Sequence, residues 1–119
     1  MKYGLTTQDI ATLSGILEKY PVILEVWLFG SRATVNYHAG SDVDLAVMNS
    51  GVSGKVIRQV LSDIQDSNLP YFVDLINYPE LKHPGLKEQI IRAGQVFYSN
   101  VTQSVVNERK TGYTADEVE

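Results

Sequence analysis

The sequence predicts an α/β domain built on a small sheet, and three observations carry that prediction. Apolar runs of strand length recur near residues 23–29, 42–48 and 71–77. Stretches of helical period alternate with them. With 119 residues the chain has room for one domain and one core, and no further substrate-recognition domain is expected.

A first helix is expected to start around Thr6-Thr-Gln-Asp9, with Thr6 or Thr7 as N-cap and Asp9 near the positive end of the dipole. Ile10, Leu13, Leu17 and Tyr20 form its core stripe until Pro21 stops it. The segment Val22–Phe29 then reads as a mostly apolar strand that ends abruptly at Gly30-Ser31 and enters a short helix. Such a junction presents unpaired backbone N–H groups to an anion, and Gly30 has no side chain to block close approach. Ser31 adds a hydroxyl donor, and Arg32 adds a charge-assisted contact to phosphate.

The next strand, Gly40-Ser-Asp-Val-Asp-Leu-Ala-Val47, places Asp42 and Asp44 inside an apolar run. In extended backbone the two acids project from one face about 6–7 Å apart, with Val43, Leu45 and Val47 on the other. Adjacent carboxylates repel and are costly to bury, so they call for cations; oxygen-only ligands favour magnesium or manganese. Taken alone, the pair fits a solvated turn ahead of the strand equally well.

A second helix is expected from about Ser53, where Ile57, Val60, Leu61 and Ile64 make an apolar stripe between Gly51 and Pro70. Lys55, Arg58, Asp63 and Asp66 would face solvent. The strand from Tyr71 to Asn77 sets Phe72, Asp74 and Ile76 on one face and Val73 and Leu75 on the other. Asp74 reads as a carboxylate at a sheet edge or, beside the upstream pair, as a third metal-binding acid. Pro84 suits the first turn of a final helix with Leu86, Ile90 and Ala93 as its buried stripe, His83 at its start and Gly94 as its C-terminal cap. Trp27, Arg58 and Arg92 receive structural readings. Residues 99–119, ending Asp116-Glu-Val-Glu119, show weak periodicity and an acidic end, which fits a mobile tail or a partner-binding segment.

Composition narrows the function classes. A net charge of −4 and a pI near 5.1 argue against direct nucleic-acid binding. Zero cysteines exclude disulfides and thiolate metal sites and fit a reducing cytosol. No basic-then-apolar leader opens the chain and the apolar runs are shorter than a membrane span, so a soluble cytoplasmic protein without a membrane partner is expected.

Gly30-Ser31, ten intervening residues, Asp42-Val-Asp44 and then Asp74 in Tyr71-Phe-Val-Asp-Leu-Ile76 resemble the signature of the nucleotidyltransferase superfamily that includes polymerase β. The resemblance covers roughly residues 5–98; Pro84–Gly94 and Val96-Phe-Tyr98 look like the C-terminal helix and closing strand of its short members. It implies a mixed sheet with some antiparallel strands, helices packed mainly on one face, and a minimal nucleotidyltransferase domain over residues 1–98. It further implies that Asp42, Asp44 and Asp74 are catalytic and hold two magnesium ions, manganese being an alternative. Gly30 and Ser31, aided by Arg32, would bind the phosphates of a nucleoside triphosphate.

Short members resemble the antitoxin half of a two-gene module whose partner is a HEPN-domain toxin. The resemblance therefore implies transfer of AMP from ATP to a hydroxyl, a tyrosine in some relatives, on such a partner. A non-catalytic module that neutralises its partner by steric occlusion is the alternative reading, and transfer to a small molecule or an RNA end is a third. One departure bears on the choice. Relatives often carry a basic residue and a glycine where this chain has Thr34 and Val35. Valine tolerates a left-handed backbone poorly, so the loop takes a different path or a strained one. Tyr37 and His38 read as half-exposed side chains of the same loop.

Overall fold

Thr6 starts α1 (Thr7–Glu18) through a reciprocal cap in which its hydroxyl accepts from the Asp9 amide at 3.0 Å and the Asp9 carboxylate accepts from the Thr6 amide at 3.1 Å. The computed structural model describes residues 2–100, and every element below lies within them. Ser53 caps α2 (Gly54–Gln65) by accepting from the Val56 amide at 3.2 Å. His83 caps α3 (Pro84–Ala93), its Nδ1 accepting from the Leu86 amide at 3.0 Å, with Pro84 in the first turn. All three starts fall where the sequence places them.

The strands are β1 (Glu25–Phe29), β2 (Val43–Val47), β3 (Val73–Asn77) and β4 (Gln95–Ser99). They form one sheet in the order β3-β2-β1-β4. β1 runs antiparallel to both β2 and β4, while β2 and β3 are parallel, so the sheet is mixed. The parallel pair needs a crossover, and α2 supplies it. Asn49 secures the antiparallel pair at its far end, accepting from the Leu24 and Glu25 amides and donating to the Val22 carbonyl.

Alternation sorts the sheet into two faces. Val26, Leu28, Val43, Leu45, Val47 and Leu75 pack with Leu13, Ile16 and Leu17 of α1 and Val60 and Ile64 of α2 in the main core. Each such side chain contributes about 1.5–3 kcal/mol on burial. The opposite face carries a smaller cluster of Phe29, Ala46 and Ile90 with Trp27, Ile76 and Leu86, so α3 covers that side alone. Two of the three described helices thus share one face, and the acidic positions of β2 and β3 alternate toward the less covered one.

Two local expectations are corrected. Gly94 ends α3 with φ −69°, not in the left-handed conformation of a glycine cap. A Cβ there would overlap the Ile90 carbonyl oxygen and approach Trp27 Cε3 to 2.9 Å, so close packing is what demands glycine. Asp63 does not simply face solvent: it accepts from the Tyr20 hydroxyl at 2.5 Å and pairs with Lys19 at 3.1 Å, joining α2 to the end of α1. The expected acidic segment 99–119 lies, from residue 101 onward, outside the described residues. Among the described residues no helix is long and apolar enough to cross a membrane.

Candidate functional site

A pocket of about 280 Å³ opens at the start of β2 and β3, lined by Asp42, Asp44, Phe72, Val73 and Asp74. Register explains the convergence. Asp44 and Asp74 are direct neighbours across the parallel pair, and Asp42 precedes Asp44 by two residues, which returns a strand to the same face. The three acids therefore share one side of the sheet. Asp42 and Asp74 are exposed, and Asp44 is half-buried between them.

Electrostatics single out Asp44. Its burial, then the neighbouring charges of Asp74 and Asp42, hold its carboxyl above the ordinary carboxylate range. Burial is the larger cause and the like charges add to it, and a hard divalent cation would offset both. The donor set is all oxygen, as magnesium or manganese requires. Among the described residues, however, no three His, Cys, Asp or Glu side chains close on one ion position as placed. The donors suit a hard divalent ion in kind, and as placed they line one pocket without closing on a single ion position.

Gly30 approaches Asp44 from the end of β1. Phe29 pairs with Asp44 in the β1–β2 register, so the chain leaves β1 directly beside that carboxylate. Gly30 adopts φ 75° and ψ −157°, a combination open essentially to glycine alone. A Cβ here would overlap Asp44 Oδ2, so both backbone conformation and close approach require glycine. Ser31 follows in the three-residue 3-10 turn Ser31–Ala33 and is half-buried. Neither residue lines the acid pocket itself; they stand at its β1 side.

Arg32 departs from the expected phosphate contact. Its guanidinium is 1% exposed and donates to the carbonyls of Ser41 at 2.8 and 3.0 Å, Tyr3 at 2.9 Å and Ala39 at 3.2 Å. The Tyr71 ring covers it at 4.7 Å and the Tyr37 ring at 5.6 Å. Ser41 immediately precedes Asp42, and Tyr71 immediately precedes Phe72. Arg32 thus clamps the approaches to both acid-bearing strands from inside the fold. Ser41 is held further by its hydroxyl, which accepts from the His38 amide at 2.9 Å.

The loop after Arg32 is not strained at its departure from the family pattern. Among the described residues Tyr3 is the one non-glycine with positive φ, so Val35 avoids the left-handed region and stands 94% exposed. Tyr37 is 38% exposed and His38 exposed, as expected of loop side chains. Phe72 is the pocket residue that sequence reasoning passed over. Alternation had placed it on the Asp74 face, but nothing in a linear pattern says that this phenylalanine is 80% exposed beside three acids.

Comparison with known proteins agrees with this geometry. The chain is 29% identical over 75 residues to "Probable protein adenylyltransferase MntA" of Haemophilus influenzae (strain ATCC 51907 / DSM 11121 / KW20 / Rd), an alignment covering 62% of this chain and 66% of that protein. The match therefore spans just under two thirds of that relative's length. In fold, the chain resembles one chain of a crystal structure of a toxin–antitoxin with AMP-PNP, at TM-score 0.64 and 20% identity over 87% of this chain and 83% of the other. It also resembles a chain of the toxin–antitoxin MntA-HepT at TM-score 0.53 and 17% identity, covering 89% of this chain and 83% of that one. The family model described as "Polymerase beta, Nucleotidyltransferase" matches residues 11–103, and the chain belongs to that nucleotidyltransferase family.

Proposed function

We propose that this chain is a magnesium-dependent adenylyltransferase that moves AMP from ATP onto a tyrosine hydroxyl of a HEPN-domain toxin and thereby acts as its antitoxin. The observation that carries the reading is the convergence of Asp42, Asp44 and Asp74 on one pocket at the end of β1. The adenylyltransferase named among its relatives and the toxin–antitoxin folds it resembles, one with AMP-PNP, support the same substrate and partner class. Residues 1–98 would form the catalytic domain, with β4 extending to Ser99 and the acidic segment beyond it left for partner contact.

Asp42 and Asp44 would hold both cations, with Asp74 joining them on the acceptor side. Two divalent ions, when bound, supply positive charge to the attacking and leaving oxygens of an in-line displacement at phosphorus. Gly30, free of a side chain, and Ser31 would receive the β and γ phosphates at the β1 side of the pocket. The acceptor oxygen forms a bond to the α phosphorus, the bond from that phosphorus to the bridging oxygen breaks, and pyrophosphate departs. Asp74 would take the proton of the attacking hydroxyl. Positioning and charge neutralisation supply most of the rate, since little covalent chemistry falls to the protein.

Intact-mass analysis of the partner after incubation with ATP and magnesium tests the proposal. Wild type should add at least one AMP mass, and the Asp42→Asn/Asp44→Asn double variant should slow transfer by on the order of 10²-fold or more. An unmodified partner with wild type would refute the enzyme reading. Full neutralisation of the toxin by the double variant would instead favour occlusion.

A further inference from the structure

Phe72 is 80% exposed, yet it sits in the wall of the pocket that holds Asp42, Asp44 and Asp74. Its backbone is fixed, because its carbonyl accepts from the Val43 amide at 2.8 Å. It stands two residues before Asp74, and both side chains reach the same pocket. At strand spacing their Cβ atoms lie about 6–7 Å apart.

Position across the sheet assigns the ring a side. β3 is the outermost strand next to β2, and Gly30 lies at the end of β1, beyond Asp44 from Phe72. The phosphates proposed at Gly30 and the ring at Phe72 therefore flank the acids on opposite sides. By the parallel register Asp42 lies across from Phe72, and Asp74 lies two residues along Phe72's own strand, so a group arriving over Phe72 reaches both acids. No other strand covers that edge among the described residues.

We propose that Phe72 is a specificity-determining contact for the acceptor, a platform on which an aromatic acceptor side chain, the phenol of a protein tyrosine, lies with its hydroxyl directed at Asp74. This rests on the transfer reaction proposed above and adds to it the residue that selects the acceptor. Aromatic rings pair favourably in offset or edge-on contact at centroid separations of about 4.5–7 Å. A phenol on Phe72 spans the distance to Asp74 through the length of its own ring. A serine hydroxyl has no such reach and leaves the phenylalanine in water.

The test is a binding titration of the full chain, read by amide chemical shifts, with N-acetyltyrosinamide, N-acetylserinamide and ATP as separate probes. Tyrosinamide is expected to shift the amides of residues 72–74, and serinamide is not. Phe72→Ser should weaken tyrosinamide binding roughly 5- to 10-fold, and Phe72→Trp should restore it. ATP-induced shifts near Gly30 should persist in both variants. Tyrosinamide binding unchanged in Phe72→Ser would overturn the proposal. So would a loss of ATP binding in that variant, which would make Phe72 a nucleobase platform. Tyrosinamide bound at Phe72 by a chain that transfers no AMP to its partner would sustain the contact and refute the reaction, so the two claims fail separately.

Discussion

At the scale of single residues, the site is a set of local compromises that stability alone would not choose. Asp44 is the clearest. Its carboxyl is held above its ordinary range by burial and by Asp74 and Asp42, so the folded state binds a proton there more tightly than the unfolded chain does. Above that raised value, Asp44 is charged and works against folding. Asp44→Asn in metal-free buffer is therefore expected to melt a few degrees higher than wild type while losing transfer, measured by calorimetry beside the transfer assay. Arg32 is the converse, a buried charge that holds structure together. A lysine keeps the charge but lacks the fork that serves three separate carbonyls. Arg32→Lys should lose about 1–3 kcal/mol in denaturant unfolding, because carbonyls of Tyr3, Ala39 or Ser41 are left without a donor. The Gly-Ser-Arg motif suggested phosphate binding for this residue. Its actual partners include a carbonyl 29 positions away, which no local pattern discloses.

At the scale of elements, capping was legible and cross-element pairing was not. Thr6 with Asp9, Ser53 and His83 are read from neighbours within one turn, which is why all three helix starts agree with the sequence. The faces of β3 were legible for the same reason, since alternation is a property of the strand itself. Asp63 shows the limit, because its partner Tyr20 lies 43 positions upstream. The hydrogen bonds of Tyr20 and Lys19 hold the Asp63 carboxyl below its ordinary range, and the same contact raises the Tyr20 phenol. The depressed acid stabilises the fold above the unfolded value of about 3.8, and that contribution is lost as pH falls through the lower folded value. The raised phenol stabilises the fold below pH 10, and its contribution is lost as pH climbs through the higher folded value. Asp63→Asn should thus lower the melting temperature at pH 7, and the gap to wild type should narrow in acid as well as in strong alkali. A gap independent of pH, followed by circular dichroism, would contradict the pairing.

At the scale of the whole molecule, sheet order converts separate motifs into one site. The sequence displays a Gly-Ser junction, an acid pair and a lone acid, but not that the strands bearing them are consecutive in the sheet as β1, β2 and β3. Strand order and direction depend on long-range pairing, so the mixed topology came from family resemblance and not from periodicity. The division of helices, with α1 and α2 on the main core and α3 on the other side, likewise follows from which face each strand leaves apolar. That division leaves the acid-bearing ends of β2 and β3 open at the surface. The proposed substrate and partner would then approach across an edge that the core does not need.

Asp42, Asp44 and Asp74 are proposed to act together as one divalent-cation site. Calorimetric titration of manganese into the full chain with a non-hydrolysable ATP analogue decides it. With the heat of manganese binding to the analogue alone subtracted, wild type should bind saturably, Asp44→Asn should show no remaining protein-dependent heat, and Asp42→Asn and Asp74→Asn should each weaken binding by roughly 10-fold or more. Equal binding by wild type and Asp44→Asn would contradict the account.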